Sequence, residues 1–211
     1  MRDPKQELRK EVIKHSAAIQ IHNKLTLLQS KAWSWLLYHA YDELPTCEVH
    51  SIPVRKLKDY LEYQSNDEGY LKEIIRALVG CQVEWNILGK DDKWEWGIAA
   101  ILAQVTIRDG VCTYAFAPEM RQRLYNPNMY AKINLLLQNK FASKHALVLW
   151  ELCTDYLGTG REHGETPFIV IEQFRNLVGL ENSQYAQQFK ILNRDVIKPA
   201  VAEINRGSVS E

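Results

Sequence analysis

Hydrophobic positions along this chain recur with two periods, a helical one and a strand-like one, and the two alternate in the same order twice. In the first pass, Trp33, Leu36, Leu37, Ala40 and Tyr41 fall at helical spacing and predict a helix burying one stripe and stopping before Pro45. A β-like stretch from Glu48 to Ile52 follows. Pro53 then suits the first turn of a compact helix whose apolar face is Val54, Leu57 and Leu61. Ser65 and Glu68 have the spacing of a capping box, opening a second helix that carries Leu71, Ile74, Ile75 and Leu78 and closes at Gly80. Two helices joined by a tight turn after a first helix and a strand form a helix-turn-helix layout.

Between residues 81 and 117 the period shortens, and Val, Ile, Trp, Tyr and Thr dominate. Gly89 to Asp92 reads as a loop and Asp109-Gly110 as a tight hairpin turn, which predicts a three-stranded antiparallel wing. Pro118 opens a short helix to Tyr125, Asn126-Pro127-Asn128 breaks it, and a helical stretch from Lys132 to Asn139 leads onward. Ahead of all this, Ala17 to Ile21 is a short apolar segment that fits either a helix or a strand.

The second pass begins where Ser143-Lys144-His145-Ala146-Leu147-Val148-Leu149-Trp150 echoes Ser30-Lys31-Ala32-Trp33-Ser34-Trp35-Leu36-Leu37-Tyr38. Ala146, Leu149, Trp150, Cys153 and Leu157 predict a helix ending at Gly158, Phe168 to Val170 a short strand, and Ile171 to Val178 a helix capped by Gly179. A last helix carries Tyr185, Phe189, Leu192 and Val196 on one face. At 100° per residue, Gln187, Lys190, Ile191, Arg194 and Lys198 fall on the opposite face. The expected fold is therefore α+β, two tandem winged-helix domains spanning 1–140 and 141–211.

Composition narrows the chemistry only a little. The 26 basic residues balance the 26 acidic ones, so any DNA-binding surface depends on local placement of Lys and Arg. Cys47, Cys81, Cys112 and Cys153 are widely spaced without a Cys-x-x-Cys pair, which fits reduced, mostly buried thiols. Met1 to Lys14 lacks an apolar leader core and no run approaches a membrane span, so the expected location is the cytoplasm, with no membrane partner.

Several blocks together resemble a known family. Ser143 to Leu152, Ile171-Glu172-Gln173-Phe174-Arg175-Asn176-Leu177-Val178-Gly179, Phe189-Lys190 and above all Val196-Ile197-Lys198-Pro199-Ala200-Val201-Ala202-Glu203-Ile204-Asn205 are similar to the plasmid replication initiator (Rep) proteins with two winged-helix domains. The resemblance implies a protein that binds repeated origin sites called iterons, helps open an AT-rich stretch, recruits host replication proteins, and represses its own gene as a dimer. A monomer–dimer equilibrium or homodimer is expected on the same ground. Members of that family continue past the Glu-Ile-Asn block into a second wing, so the second domain here is expected to be truncated before its wing, with its DNA affinity in question.

On that reading, Arg194 suits a guanine edge, Gln187 an adenine edge, and Lys190 and Lys198 phosphates or guanine, with Ile191 beside them. Charges on the outer face of a helix are equally at home as a solvated surface. Pro199 should kink or restart the last helix. In the first domain Arg55, Lys56, Lys58, Lys72 and Arg76 could touch phosphates, although Asp59, Glu62 and Glu73 among them fit an ordinary surface as well. Trp94 and Trp96 share a strand face and fit either a dimer interface or core packing.

Enzymatic chemistry finds little support. Gly158-Thr159-Gly160 with Gly164 misses dinucleotide-loop spacing, and no Gly-Lys-Ser/Thr phosphate loop occurs. The six histidines include no His-x-His pair, and the carboxylates are scattered, so no metal or cofactor is expected. A non-enzymatic, sequence-specific DNA-binding initiator is the expected function. A winged-helix transcriptional regulator and a dimerisation module without specific DNA binding are the alternatives.

Overall fold

The computed structural model describes residues 10–19, 25–63, 67–85, 96–125, 127–157, 163–183 and 188–208. Ala17 and Ala18 belong to a single helical turn, α1 (Ser16–Ile19), which follows strand β1 (Glu11–His15). Helix α2 (Leu27–Ala40) opens with a full capping box, Thr26 and Gln29 exchanging hydrogen bonds with each other's backbone. Every residue from Ser30 to Tyr38 is buried, so α2 is a central helix enclosed on all sides, where its pattern predicted a single stripe. Its buried Lys31 and Ser34 side chains are matched, whereas the buried Trp33 indole nitrogen has no hydrogen-bond partner among the described residues. Lys31 Nζ donates to the carbonyls of Asn139 and Phe141, and Ser34 Oγ donates to Ser30 O.

Strand β2 (His50–Pro53) leads into α3 (Val54–Tyr60), and after the turn comes α4 (Glu68–Gly80). The N-cap of α4 is Asp67, whose Oδ1 accepts from Tyr70 N–H. The expected capping box is thus displaced, and its Ser65 lies outside the described residues. Asp carries a negative charge that suits a helix N-terminus, which favours it over a hydroxyl two residues earlier.

The wing region differs from the simple three-stranded piece. Its middle strand is broken at Ile101 into β4 (Gly97–Ala100) and β5 (Leu102–Arg108). β4 pairs with β3 (Gln82–Trp85), while β5 pairs with β6 (Val111–Phe116), and β2 completes a sheet of order β2-β6-β5. The break follows from burial: Ile101 and Leu102 are both fully buried, which strict alternation on one flat ladder does not permit. The Asp109-Gly110 turn is as expected, with both residues at positive φ (50° and 74°), the geometry of a two-residue hairpin.

Helix α5 (Pro118–Leu124) has Pro118 at its start. The stretch from Lys132 is not helical throughout. Tyr130–Asn134 forms β7, antiparallel to β1, and Asn134 then caps α6 (Leu135–Lys140) by accepting from Leu137 N–H. Alternation of exposed Tyr130 and Lys132 with buried Ala131 and Ile133 is strand-like, and pairing with β1 fixes it.

Helix α7 (Lys144–Leu157) buries Ala146, Leu147, Val148, Leu149 and Leu152 but leaves Cys153 exposed, where the sequence stripe placed it inside. Phe168 to Val170 is not a strand, and Phe168 is 92% exposed. Among the described residues no partner strand lies beside it. Helix α8 (Ile171–Leu177) ends as expected at Gly179, with φ 73°. Gly179 N–H bonds Asn176 O, and Leu180 N–H bonds Arg175 O, the paired bonds of a Schellman end.

The last helical stretch has three parts: α9 (Phe189–Leu192), a π-helical turn (Asn193–Ile197) and α10 (Lys198–Ser208). The helix changes character beside Pro199, where the α-helical segment α10 starts anew at Lys198. The proline ring has no N–H and crowds the carbonyl four residues back, and the chain responds with a wider turn in which Lys198 N–H bonds Asn193 O. Leu192, Val196 and Ala200 are buried, but Phe189, expected beside them, is 61% exposed, and Tyr185 lies outside the described residues.

One large core runs from Val12 to Leu135, and smaller ones gather around Phe141, Ala146, Val178 and Ala200 and around Leu192 and Val196. Trp150 packs against both the large core and the first small one. Lys14 and Ser16 tie the first helices and strands to Glu151 and Asp155 of α7.

Candidate nucleic-acid interface

The sequence places its reading residues on the last helix, and there the exposed face is distinct. Lys190, Arg194 and Lys198 stand four residues apart and are all exposed, while Leu192, Val196 and Ala200 are buried. Ile191 is half-buried, and Gln187 lies outside the described residues. Apolar anchoring fixes this helix: Leu192 and Val196 pack against Ile171, Phe174 and Leu180, so α8 and its capped turn set the direction in which the stripe points.

Arg194 is paired with Asp195, through Nε at 2.5 Å and Nη2 at 2.7 Å. Its neighbour in sequence thus reaches the exposed stripe, a pairing the helical wheel did not show. Arg175, on α8, is turned to the protein instead and donates to Ser183 O in the turn between the helices.

In the first helix-turn-helix, Lys72 and Arg76 stand one turn apart on α4 and are exposed. Together with Gln104 they border a groove of about 510 Å³ between α4 and β5, floored by Ile75, Val79, Val105 and Ile107. Arg55 and Lys58 lie on α3, separate from that groove. Arg55 is exposed and Lys58 half-buried. Lys56 sits over the Tyr60 ring at 5.5 Å.

Trp94 lies outside the described residues. Trp96 is 68% exposed, its indole N–H donating to Glu84 Oε1 at 2.6 Å, with Ile98 exposed nearby on the same ladder. This position is on the surface and not in the core.

Two further groups matter for how the second helix-turn-helix is held, and neither was singled out from sequence. Glu203, on α10, accepts the N–H groups of Ala142 (2.7 Å) and Ser143 (3.3 Å), placing a carboxylate at the start of α7. Lys31 grips the carbonyl of Phe141 from the other side. Burial lowers the pKa of Lys31, while nearby Glu62 and Glu203 act to raise it. At the start of α7, burial likewise pushes down Lys144 and His145, the latter also through the neighbouring Lys144 charge. Among the described residues no group of His, Cys, Asp and Glu could hold a metal ion, and no helix is long and apolar enough to cross a membrane.

A first helix, a helix-turn-helix and a strand hairpin, followed by a second and shorter set of helices in the same order, define a tandem winged-helix protein of the DNA-binding class. The chain matches the family described as "Initiator Replication protein, WH1" over residues 11–154 and that described as "Initiator Rep protein, WH2" over residues 170–209. It belongs to the initiator replication (Rep) proteins. The second winged-helix region is the short one.

Among solved structures the chain is similar to one described as "Crystal structure of Pi initiator protein in complex with iteron DNA". The TM-score is 0.67 with 16% identity, covering 94% of this chain and 87% of that one, a likeness of fold. The curated proteins give no match.

Proposed function

We propose that this protein is a plasmid replication initiator that recognises iteron repeats at its origin and acts by binding, without catalysis of its own. The observation that carries the reading is the exposed Lys190, Arg194 and Lys198 stripe, held on a helix whose other side is anchored by Leu192 and Val196. An exposed cationic stripe on a rigid second helix of a helix-turn-helix is the arrangement that enters a major groove, with Arg suited to guanine and Lys to phosphate. By sequence, Gln187 would add an adenine contact, and Ile191 adds an apolar one. Lys72 and Arg76, with Arg55 and Lys58, supply phosphate contacts from the first domain. The solved complex of a similarly folded initiator with iteron DNA supports the same reading.

The first domain, residues 1–140, would carry assembly and the second, 141–211, the base contacts. Exposed Trp96, with Trp94, is a suitable anchor for a homodimer that represses its own gene in the cytoplasm, and host replication proteins would join at the origin. The same exposed tryptophan favours a second reading, an assembly module whose DNA reader is ineffective. Fluorescence anisotropy decides between them, using an iteron duplex from the parent plasmid's origin and a scrambled duplex across a salt series. The initiator reading expects a specific complex that weakens at least tenfold in Arg194→Ala. Equal, weak binding to both duplexes would leave the assembly module.

A further inference from the structure

Arg194 does not stand alone on the exposed stripe. Its Nε–H donates to Asp195 Oδ1 at 2.5 Å and Nη2–H to Asp195 Oδ2 at 2.7 Å, a two-pronged pair between consecutive residues. The Arg194 side chain is 68% exposed and that of Asp195 26%, so the carboxylate is the more buried partner.

Consecutive residues on a regular α-helix do not face each other. Both residues lie inside the π-helical turn Asn193–Ile197. Bonding from i to i+5 puts more residues into each turn and narrows the angle between neighbours. The wider turn beside Pro199 therefore brings the carboxylate within reach of the guanidinium.

Arginine presents five N–H donors in one planar fork. Asp195 takes Nε–H and one Nη2–H, so the end of the fork formed by Nη1 and the second Nη2–H points away from the carboxylate. Guanine offers O6 and N7 to a two-pronged donor in the major groove. We propose that Asp195 is a positioning residue that fixes the plane of the Arg194 guanidinium and presents its Nη1–Nη2 end to a guanine edge, setting base specificity more than affinity. This rests on the reading of the last helix as the DNA-contacting segment.

The two contributions have opposite signs. A carboxylate near the duplex is repelled by phosphates and weakens binding to any sequence. A fork already held in place loses less freedom when it meets its base, which favours the correct base over others. Removing the carboxylate should therefore relax discrimination without weakening general binding.

The test measures anisotropy for the wild type, Asp195→Ala, Asp195→Asn, Arg194→Ala and the double variant. The probes are the origin repeat duplex, the same duplex with each guanine pair replaced in turn by an adenine pair, and a scrambled duplex. In Asp195→Ala, binding to scrambled DNA should be unchanged or severalfold tighter, while the preference for guanine at one position falls about tenfold. Asp195→Asn keeps one acceptor and should lose less. In the Arg194→Ala background, removing Asp195 should leave that preference unchanged. Thermal unfolding of each variant identifies any that fail to fold, and Asp195→Asn then carries the comparison. Full guanine preference in the folded Asp195 variants, or an equal loss with and without Arg194, overturns the proposal and leaves the initiator reading standing. A wild type that binds repeat and scrambled duplexes alike overturns both.

Discussion

Lys14 and Glu151 stand 137 positions apart in the chain, yet Lys14 Nζ lies 2.9 and 2.8 Å from the two carboxylate oxygens of Glu151. Both side chains are almost wholly buried, and Lys14 also donates to Ser34 Oγ. Removing one member strands a charge away from water, so Lys14→Met should lower folding stability by about 3–5 kcal/mol. Lys14→Met with Glu151→Leu removes both charges and should recover most of that loss. Urea unfolding of the two variants checks the pair, and a double variant as unstable as the single one would contradict this account.

The carboxylate of Glu203 acts as a borrowed cap for α7, because it accepts from Ala142 and Ser143 at the start of that helix. Glu203→Ala should cost about 0.5–2 kcal/mol, the usual range for removing a helix cap. Hydrogen exchange should locate the effect, with amides in the first turn of α7 exchanging faster and those of α4 unaffected.

Lys72 and Arg76 share one face of α4 and border the groove above β5. If they meet phosphates, their replacement by Ala should weaken repeat and scrambled duplexes by similar factors. The slope of log affinity against log salt should become shallower by about 1 for each phosphate no longer neutralised. A change confined to the repeat duplex would assign them to base reading instead.

His145 gives a pH dependence whose sign can be worked out. Burial, and the adjacent Lys144 charge, depress its folded pKa below 6.5, against a hydrogen bond to the backbone of Val178. The unfolded chain therefore takes up the proton first as pH falls. The stability contribution is fully present above about 6.5, the unfolded value, and is lost as pH drops from there through the lower folded value. His145→Gln should flatten this part of the stability profile between neutral and mildly acidic pH, measured by urea midpoints.

Much of the helical order was legible in the sequence because apolar spacing repeats where a face is buried, as at Leu71, Ile74, Ile75 and Leu78 of α4. Gly179 and the Asp109-Gly110 turn were legible for another reason: few residues accept positive φ. What local pattern missed depends on distant partners. Strand β7 is defined by β1, more than a hundred positions earlier, and Phe168 to Val170 looked like a strand but found no such neighbour among the described residues. At the candidate site, the exposed Lys190, Arg194 and Lys198 followed from the helical wheel. Asp195 did not, because a regular wheel separates adjacent side chains, and the π turn beside Pro199 removes that separation.

The short segment Phe141 to Ser143 is gripped on both sides, its carbonyl by Lys31 of the first helical domain and its amides by Glu203 of the last helix. Three hydrogen bonds thus tie the connector to both units. With those bonds kept on DNA, the two helix-turn-helix units would act less like beads on a string than like the jaws of a fixed caliper. On the proposed reading, such a tool measures the distance between its contact points on the duplex, so lengthening the spacing within a repeat by even one base pair would be felt as a misfit and not absorbed by the protein.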